Sequence, residues 1–308
     1  MKNMFNLIIE NRAIFLSIIF LIILFSFSIT IDGFFSSYNL LNITQYSVEL
    51  GLLAIAEMLV ILSGKGGIDL SVGSMMSFTA AIVGVLIGTM GVPVYIGIIF
   101  ALIAGITMGF LNGILVNYIN IPPFLVTIST LYIYKSIALL ITVNPQYGPN
   151  PMPISNFPSS FYFLGQEFIG LVPFQVIFIF IPVLLIVHFL LSMTTFGRKI
   201  YGIGVNETAA IFAGINVKNI RLIAYTLSGF LSALAGLIIT SRIASARPDI
   251  GNGLELQAIT IAVLGGVSIV GGKGNVPGVL FSILIITILN NGMQLAGINQ
   301  IWQYGALG

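Results

Sequence analysis

One short stretch of the chain holds much of its candidate chemistry. Residues 66–74 read Gly-Gly-Ile-Asp-Leu-Ser-Val-Gly-Ser and place a carboxylate, Asp69, and two hydroxyls, Ser71 and Ser74, between segments apolar enough to lie in a membrane. A polar group at such a junction must face protein, water or a polar ligand, because hydrocarbon offers it no hydrogen bond. We interpret this stretch as the lining of a polar pathway rather than as part of a packed core.

Three further polar residues interrupt apolar segments. Glu57 and Lys135 lie within such segments, and Asn112 lies near the end of another. A charged side chain at the centre of a bilayer costs at least ~2.5 kcal/mol unless it faces protein or water, so Glu57 and Lys135 are candidates for the same pathway. We add the polar amide Asn112 to these candidates. Two alternatives stay open: Glu57 and Lys135 form a pair, or Lys135 extends its amino group to the membrane surface.

The sequence offers little for catalysis or metal binding. It has no cysteine and one histidine, so we predict no metal site and no nucleophile–base triad. Gly64-Lys65 and Gly272-Lys273 are each followed by glycine, whereas a phosphate-binding loop needs Gly-Lys-Ser/Thr. The net charge of +2 does not indicate a nucleic-acid-binding surface. We therefore expect neither ATP hydrolysis in this chain nor a nucleic-acid partner.

The elements that must position these residues are membrane-spanning helices. Only 6% of the 308 residues are charged and 57% are hydrophobic, which predicts an integral membrane protein. A span needs ~20 mostly apolar residues. The sequence predicts an all-α, polytopic transmembrane helical bundle with nine spans, the first an uncleaved anchor, and leaves open whether its halves form an inverted repeat. The predicted spans are residues 13–31, 40–63, 70–90, 92–116, 124–143, 171–191, 222–240, 256–270 and 276–296.

The distribution of cations predicts a cytoplasmic N-terminus. With that orientation the inner side carries eight of the eleven lysines and arginines, in agreement with the positive-inside rule. Residues 144–170 then form an external loop whose prolines favour extended, turn-rich structure over a helix. Arg242, Arg247 and Asp249 follow the seventh span outside, where they present either a surface for a polar receptor or a solvated loop.

The second long connection, residues 192–221, lies inside and contains a predicted short helix. Asn206 is a good N-cap, Glu207 suits the positive end of the helix dipole, and Gly214 ends the helix after about two turns. Ile211, Phe212 and Ile215 give it an apolar face. Such a helix either docks on another protein or lies flat on the lipid surface.

Four ordered segments resemble the permease subunits of bacterial ATP-binding-cassette (ABC) importers for monosaccharides, closest to the ribose-type branch. The resemblance covers nearly the whole chain. The segments are Gly66–Ser74; Asn112-Gly113-Ile114-Leu115-Val116 running into Ile121-Pro122-Pro123-Phe124-Leu125-Val126-Thr127; Phe196-Gly197-Arg198 through Asn206–Ala210 to Gly214-Ile215-Asn216-Val217; and Leu254–Ile259 followed by Val263-Leu264-Gly265-Gly266 and Gly271-Gly272-Lys273-Gly274.

The resemblance implies a single transmembrane permease domain over residues 1–308, in a homodimer that sits on two ATPase subunits in the cytoplasmic membrane. An external sugar-binding protein would deliver the sugar, while ATP and Mg²⁺ would bind the ATPases and no cofactor would bind this chain. It also implies that residues 192–221 are the coupling loop. The coupling role falls on the matching positions Asn206, Glu207, Ala209, Ala210 and Gly214.

Two expectations qualify that resemblance. Permeases of this family usually have ten spans, and the sequence has nine before Gly308, so we expect the tenth helix to be missing. The alternative function is a proton-coupled secondary transporter that acts without an ATPase and uses Glu57, Asp69 and Lys135 as a proton relay.

Overall fold

The fold is a bundle of membrane-length helices joined mostly by short connections. The computed structural model describes residues 12–143, 150–299, 302, 303 and 305. Over these residues, eight helices are long and apolar enough to cross a membrane. They are α1 (Arg12–Thr30), α2 (Ser37–Leu62), α3 (Val72–Val83, continued as π-helix by Gly84–Thr89), α4 (Val94–Asn117), α5 (Pro123–Ile141), α7 (Ile181–Met193, preceded by the π-helical Val176–Phe180), α10 (Val217–Ile243) and α12 (Val276–Leu295).

The two long connections are more helical than predicted. In the described part of the first, which starts at residue 150, the chain forms α6 (Ser159–Gln166) and a hairpin of β1 (Phe168–Ile169) and β2 (Val172–Pro173). The prediction of extended structure fails for α6 because the helix begins directly after Pro158, the last proline of the loop. The second connection forms α8 (Thr195–Val205) and α9 (Glu207–Phe212), and α10 begins five residues earlier than the predicted span.

The structure contradicts the predicted membrane span at residues 256–270. Its helix, α11 (Leu254–Leu264), has only 11 residues, or about 16 Å, and cannot cross ~30 Å of hydrocarbon alone. It ends because Gly265 and Gly266 follow, and Gly266 adopts a φ of +93° that favours glycine. Composition alone did not reveal this stop, since residues 267–270 continue the apolar run.

α11 begins inside the bundle rather than at its surface. Ala246 pairs with Ile154 beside Gly84 of α3, whereas the Gly251 amide donates to Ser77 Oγ at 2.9 Å. Gly84 and Ser77 are about 10 Å apart along α3, so the chain descends by that distance before α11 starts. Residues 244–264 therefore make one broken crossing, a loop followed by a half-helix.

The bundle has two distinguishable ends. We call the end that contains α9 the α9 end and the opposite one the far end. Arg12, which begins α1, lies against Gly266 at the α9 end, and the turns at Gly64 and Gly271 pack there on Gly204 of α8. The far end holds the end of α10, the start of α2 and the end of α12.

Small residues let α10 take the centre of the bundle. Gly105 and Gly109 of α4 pack directly on Gly229 of α10, where a β-carbon would collide with the facing backbone. Gly236 packs on Met76 of α3 in the same way. These small residues explain how the helix backbones approach closely where lipid gives little driving force.

Candidate functional site

A buried polar network connects five helices around the stretch 66–74. Two of its groups are the carboxylates Glu57 of α2 and Asp69, which precedes α3. The others are hydroxyls and amides from α3, α4, α5 and α10. The members that meet here are Glu57, Asp69, Ser71, Ser74, Asn112, Thr127, Tyr134 and Ser228.

Asp69 is the hub of this network. Its Oδ1 accepts from the Ser71 amide at 3.1 Å and from Ser71 Oγ at 2.6 Å, and its Oδ2 accepts from Ser228 Oγ at 3.0 Å. Its own backbone N–H donates to the Glu57 carboxylate at 3.0 Å. Asn112 Nδ2 extends the network by donating to Ser71 Oγ at 2.8 Å. Asp69 and Ser71 together thereby join α2, α4 and α10 to the loop before α3.

The structure brings together most of the predicted pathway residues but closes them off. Glu57, Asp69, Ser71 and Asn112 have no solvent exposure, and their polar atoms bind protein groups. In this conformation the network is a packed junction between helices. Its lining of a pathway stays a prediction, because only a conformation in which these helices separate would expose it.

Lys135 stands apart from this network. It is partly exposed on α5 and interacts electrostatically with Glu255 at the start of α11. Glu57 bonds instead to the Asp69 amide, so the alternative of a Glu57–Lys135 pair finds no support in the described contacts. Lys135 thus lies beside the broken crossing rather than at the hub.

The predicted short helix is confirmed as α9. Asn206 Oδ1 caps it by accepting from the Ala209 amide at 2.9 Å, and Gly214 follows with a φ of +77°. Ala210 is buried against the bundle, whereas the side chains of Ile211 and Phe212 are 56% and 86% exposed. An apolar surface at that exposure is available to a partner.

One arginine anchors α9 to the rest of the bundle. Arg221 of α10 is 3% exposed and its Nη2 donates to Glu207 Oε2 at 2.8 Å. The same guanidinium donates through Nε and Nη2 to the Ser63 carbonyl, at 3.2 and 3.1 Å. The bond from Arg221 holds the pKa of Glu207 below its usual 4.5. A fixed ion pair therefore joins α9 to the residue that ends α2.

The three candidate receptor-facing residues separate into two groups. Arg242 turns inward, where its Nε donates to Glu49 Oε1 at 2.7 Å and the Glu49 side chain is 1% exposed. Arg247 and Asp249 are about half exposed and pair with each other at 3.3 Å. Only the second group presents charges at the surface, and its receptor role stays a prediction.

Sequence reasoning missed several of these partners. Glu49 lies within a predicted span, so the rule that selected Glu57 would have selected it too. Ser228 carried no signal, because a serine hydroxyl in a membrane helix often bonds to its own backbone. Tyr134 carried none either, because it is one of several aromatic residues in a predicted span. In the sequence, Arg221 is simply one of the cations on the predicted inner side. Its burial in the structure makes it the anchor of α9.

Comparison with known proteins identifies the family. The model of the family described as "Branched-chain amino acid transport system / permease component" matches residues 39–308. The chain is 36% identical over 299 residues to the ribose import permease protein RbsC of Bacillus subtilis, covering 97% of this chain and 89% of that protein. It is 34% identical over 294 residues to the fructose import permease protein FrcC of Rhizobium meliloti, covering 94% and 81%.

A more distant relative has a similar coverage. The chain is 31% identical over 349 aligned positions to the xylose transport system permease protein XylH of Escherichia coli, covering 96% of this chain and 88% of that protein. No solved structure matches the chain. The chain belongs to the family of transport-system permease components, and the resemblance to ribose-type ABC permeases is confirmed. It is a membrane transport subunit rather than an enzyme.

Proposed function

We propose that this chain is the permease subunit through which an ATP-driven importer moves ribose or a related monosaccharide into the cell. The relatives named for ribose, fructose and xylose support a monosaccharide. The observation that carries the ATP-driven part is α9, an exposed apolar helix anchored by a buried arginine. A transporter without an ATPase has no use for such a docking element.

In this proposal the α9 end faces the cytoplasm. Seven cations of the described chain lie at or near that end: Arg12, Lys65, Arg198, Lys199, Lys218, Arg221 and Lys273. The far end holds Arg242 and Arg247, of which Arg242 is neutralised by Glu49. The positive-inside rule favours this orientation. It places α9 where a cytoplasmic ATPase meets it, and Arg247 with Asp249 where an external binding protein meets them.

Coupling follows a continuous path of contacts. Movement of α9 acts on Arg221 through Glu207, and Arg221 transmits it to the Ser63 carbonyl. Ser63 begins the connection that leads to Asp69, the hub of the buried network. ATP binding on the partner would favour one arrangement of this path through its different affinity for the two states. The helices fixed by Asp69 would then separate and admit the sugar.

The rest of the assembly completes the proposal. The permease acts as a homodimer on two ATPase subunits, and ATP with Mg²⁺ binds there rather than in this chain. Asn206, Glu207, Ala209, Ala210 and Gly214 shape the helix that couples to the ATPase. The residues of the buried network, with Lys135 beside them, line the route that opens.

The first test is to purify the tagged chain from its native membranes in mild detergent and to identify the proteins that co-purify with it. We expect a subunit with a P-loop ATPase domain, identified by mass spectrometry. Phe212→Asp should remove this subunit, because it places a charge on the exposed apolar surface. The control is Val270→Asp, which changes an apolar residue 77% exposed in the turn between α11 and α12.

Transport is measured as uptake of labelled D-ribose in cells with and without this chain. We expect uptake to depend on the chain and to persist when a protonophore collapses the proton gradient while ATP is maintained. Uptake that stops with the gradient, together with no ATPase among the recovered proteins, would establish the proton-coupled transporter instead. Uptake of leucine but not ribose would refute the assignment to monosaccharides.

A further inference from the structure

A deep cleft opens at the far end of the bundle. Its volume is about 820 Å³, within the range of ~300–1,000 Å³ that is usual for small-molecule sites. It lies among the start of α2, the end of α10, α11 and α12. We call it the amide cleft after the seven asparagines and glutamines that line it: Asn39, Asn42, Gln257, Asn290, Asn291, Gln294 and Gln303.

The amide cleft reaches from the far end to the broken crossing. Leu295 lines its mouth and Thr287 its depth, and these residues are eight positions, about 12 Å, apart along α12. Gln257 lies in the first turn of the half-helix α11, which begins inside the bundle. Discontinuous helices of this kind form substrate sites in many transporters. The cleft therefore joins the far surface to the place where the backbone of a span is interrupted.

The cleft is polar but carries no uncompensated charge. Among the described residues that line it, Arg242 is the only charged one, and Glu49 neutralises it at 2.7 Å. An amino acid would need a partner for its ammonium group and another for its carboxylate. A neutral ligand needs neither. The N–H groups of Arg242 that do not bind Glu49 stay available to donate to a hydroxyl.

The amides are partly fixed and partly free. Asn39 and Asn291 exchange hydrogen bonds at 2.9 and 2.8 Å, and Asn290 Nδ2 donates to Gln257 Oε1 at 3.3 Å. In the described part of the chain, the side chains of Asn42 and Gln294 make no hydrogen bond. Each amide offers two donors and one acceptor, which suits hydroxyls that also donate and accept. Tyr38 adds an aromatic ring at the mouth.

We propose that the amide cleft is the site where the permease receives one uncharged, polyhydroxylated sugar ring, before the buried network opens. The proposal rests on the function proposed above and adds where the sugar binds. The hydroxyls of the ring would replace water on Asn42 and Gln294, while the fixed pairs Asn39–Asn291 and Gln257–Asn290 hold the walls. Movement of α11 relative to α12 breaks the Gln257–Asn290 bond and lets the sugar descend.

Because the sequence contains no cysteine, a single introduced cysteine is the only thiol of this chain that a maleimide can label. Single variants Asn42→Cys and Gln294→Cys in the full chain, in right-side-out membrane vesicles, are labelled by a membrane-impermeant maleimide. We expect D-ribose to slow labelling at both positions by at least severalfold, and leucine at the same concentrations to leave the rates unchanged. The control is Asn252→Cys, an exposed position in the loop before α11, whose rate should not respond to ribose.

The outcomes separate this proposal from the proposed function. If the parent chain supports ribose uptake but ribose protects neither Asn42→Cys nor Gln294→Cys, the cleft is not the site. Protection by leucine instead of ribose overturns the ligand class, and labelling that fails at both positions overturns the outward opening. If the parent chain supports no ribose uptake, the proposed function fails first. A second measurement, uptake by Gln294→Leu, should show a raised KM for ribose with an unchanged amount of protein in the membrane.

Discussion

The anchor of α9 can be dissected with Glu207→Gln, Arg221→Met and the double variant. Glu207→Gln removes the carboxylate and leaves a guanidinium that is 3% exposed with only the Ser63 carbonyl. Arg221→Met removes both donors from that carbonyl. In the double variant the Ser63 carbonyl loses its hydrogen-bond donors, but no charged side chain is left buried without a partner. The three variants therefore test whether the ion pair and the backbone contact act as one anchor.

The structure sets the size of each effect. Breaking a fully buried ion pair costs ~3–5 kcal/mol, and we expect about 2 kcal/mol for Glu207→Gln because the Glu207 side chain is 39% exposed. An orphaned buried carbonyl costs ~1–3 kcal/mol, so Arg221→Met should cost about the same. The double variant should also cost about 2 kcal/mol rather than 4, since its members share one interaction.

The assay is hydrogen exchange of the α9 amides, followed by mass spectrometry on the purified permease. A cost of 2 kcal/mol corresponds to about thirtyfold faster exchange where opening of α9 limits it. The three variants should exchange at similar rates, and α6 at the far end should not change. Additive effects in the double variant, or no effect in either single variant, would refute the shared anchor.

The same measurement has a defined pH dependence. Because Arg221 depresses the pKa of Glu207 in the folded protein, its stabilisation is complete above the ordinary value of 4.5. It is lost as pH falls from 4.5 through the lower pKa of the folded state. Protection of α9 should thus be constant near neutral pH and weaken in acid, whereas Glu207→Gln should lack this acid step.

Three other substitutions test separate parts of the structure. Asp69→Asn should lower ribose uptake more than membrane insertion, and equal losses of both would mean a purely structural role. Gly229→Val should reduce the yield of folded protein in detergent, because its side chain would meet the backbone of Gly105, whereas Gly202→Ala has open space and should behave like the parent. Gly214→Ala should speed exchange in α9 through strain of ~1–2 kcal/mol at its φ of +77°, and an unchanged rate would contradict that.

Local signals in the sequence predicted the parts of the fold that depend on them. Asn206 and Gly214 specify the two ends of α9 through capping chemistry, and both ends are where we predicted them. The early end of α11 was not predicted, since 254–264 and 267–270 read as one largely apolar run and only the turn at Gly265 and Gly266 divides them.

The candidate sites were harder to predict because they depend on which helices are neighbours. The clustering of Asp69, Ser71 and Asn112 was expected from their polarity, but the closure of the network by Ser228 depends on the position of α10. The amide cleft combines Asn39 with Asn291, which are 252 positions apart. Neither residue is unusual by itself, so their pairing becomes visible only when α2 and α12 are placed side by side.

The contact between Arg221 and position 63 uses a peptide oxygen rather than a side chain. Every amino acid supplies that oxygen, so the guanidinium recognises the path of the backbone and not the identity of residue 63. A saturation mutagenesis scan scored by growth on the sugar should therefore accept the small residues alanine and glycine at position 63, where Ser63 is fully enclosed. At position 221 the scan should reject even lysine. The compact ammonium group of lysine lacks the planar, forked set of donors with which arginine reaches both the Ser63 carbonyl and the Glu207 carboxylate.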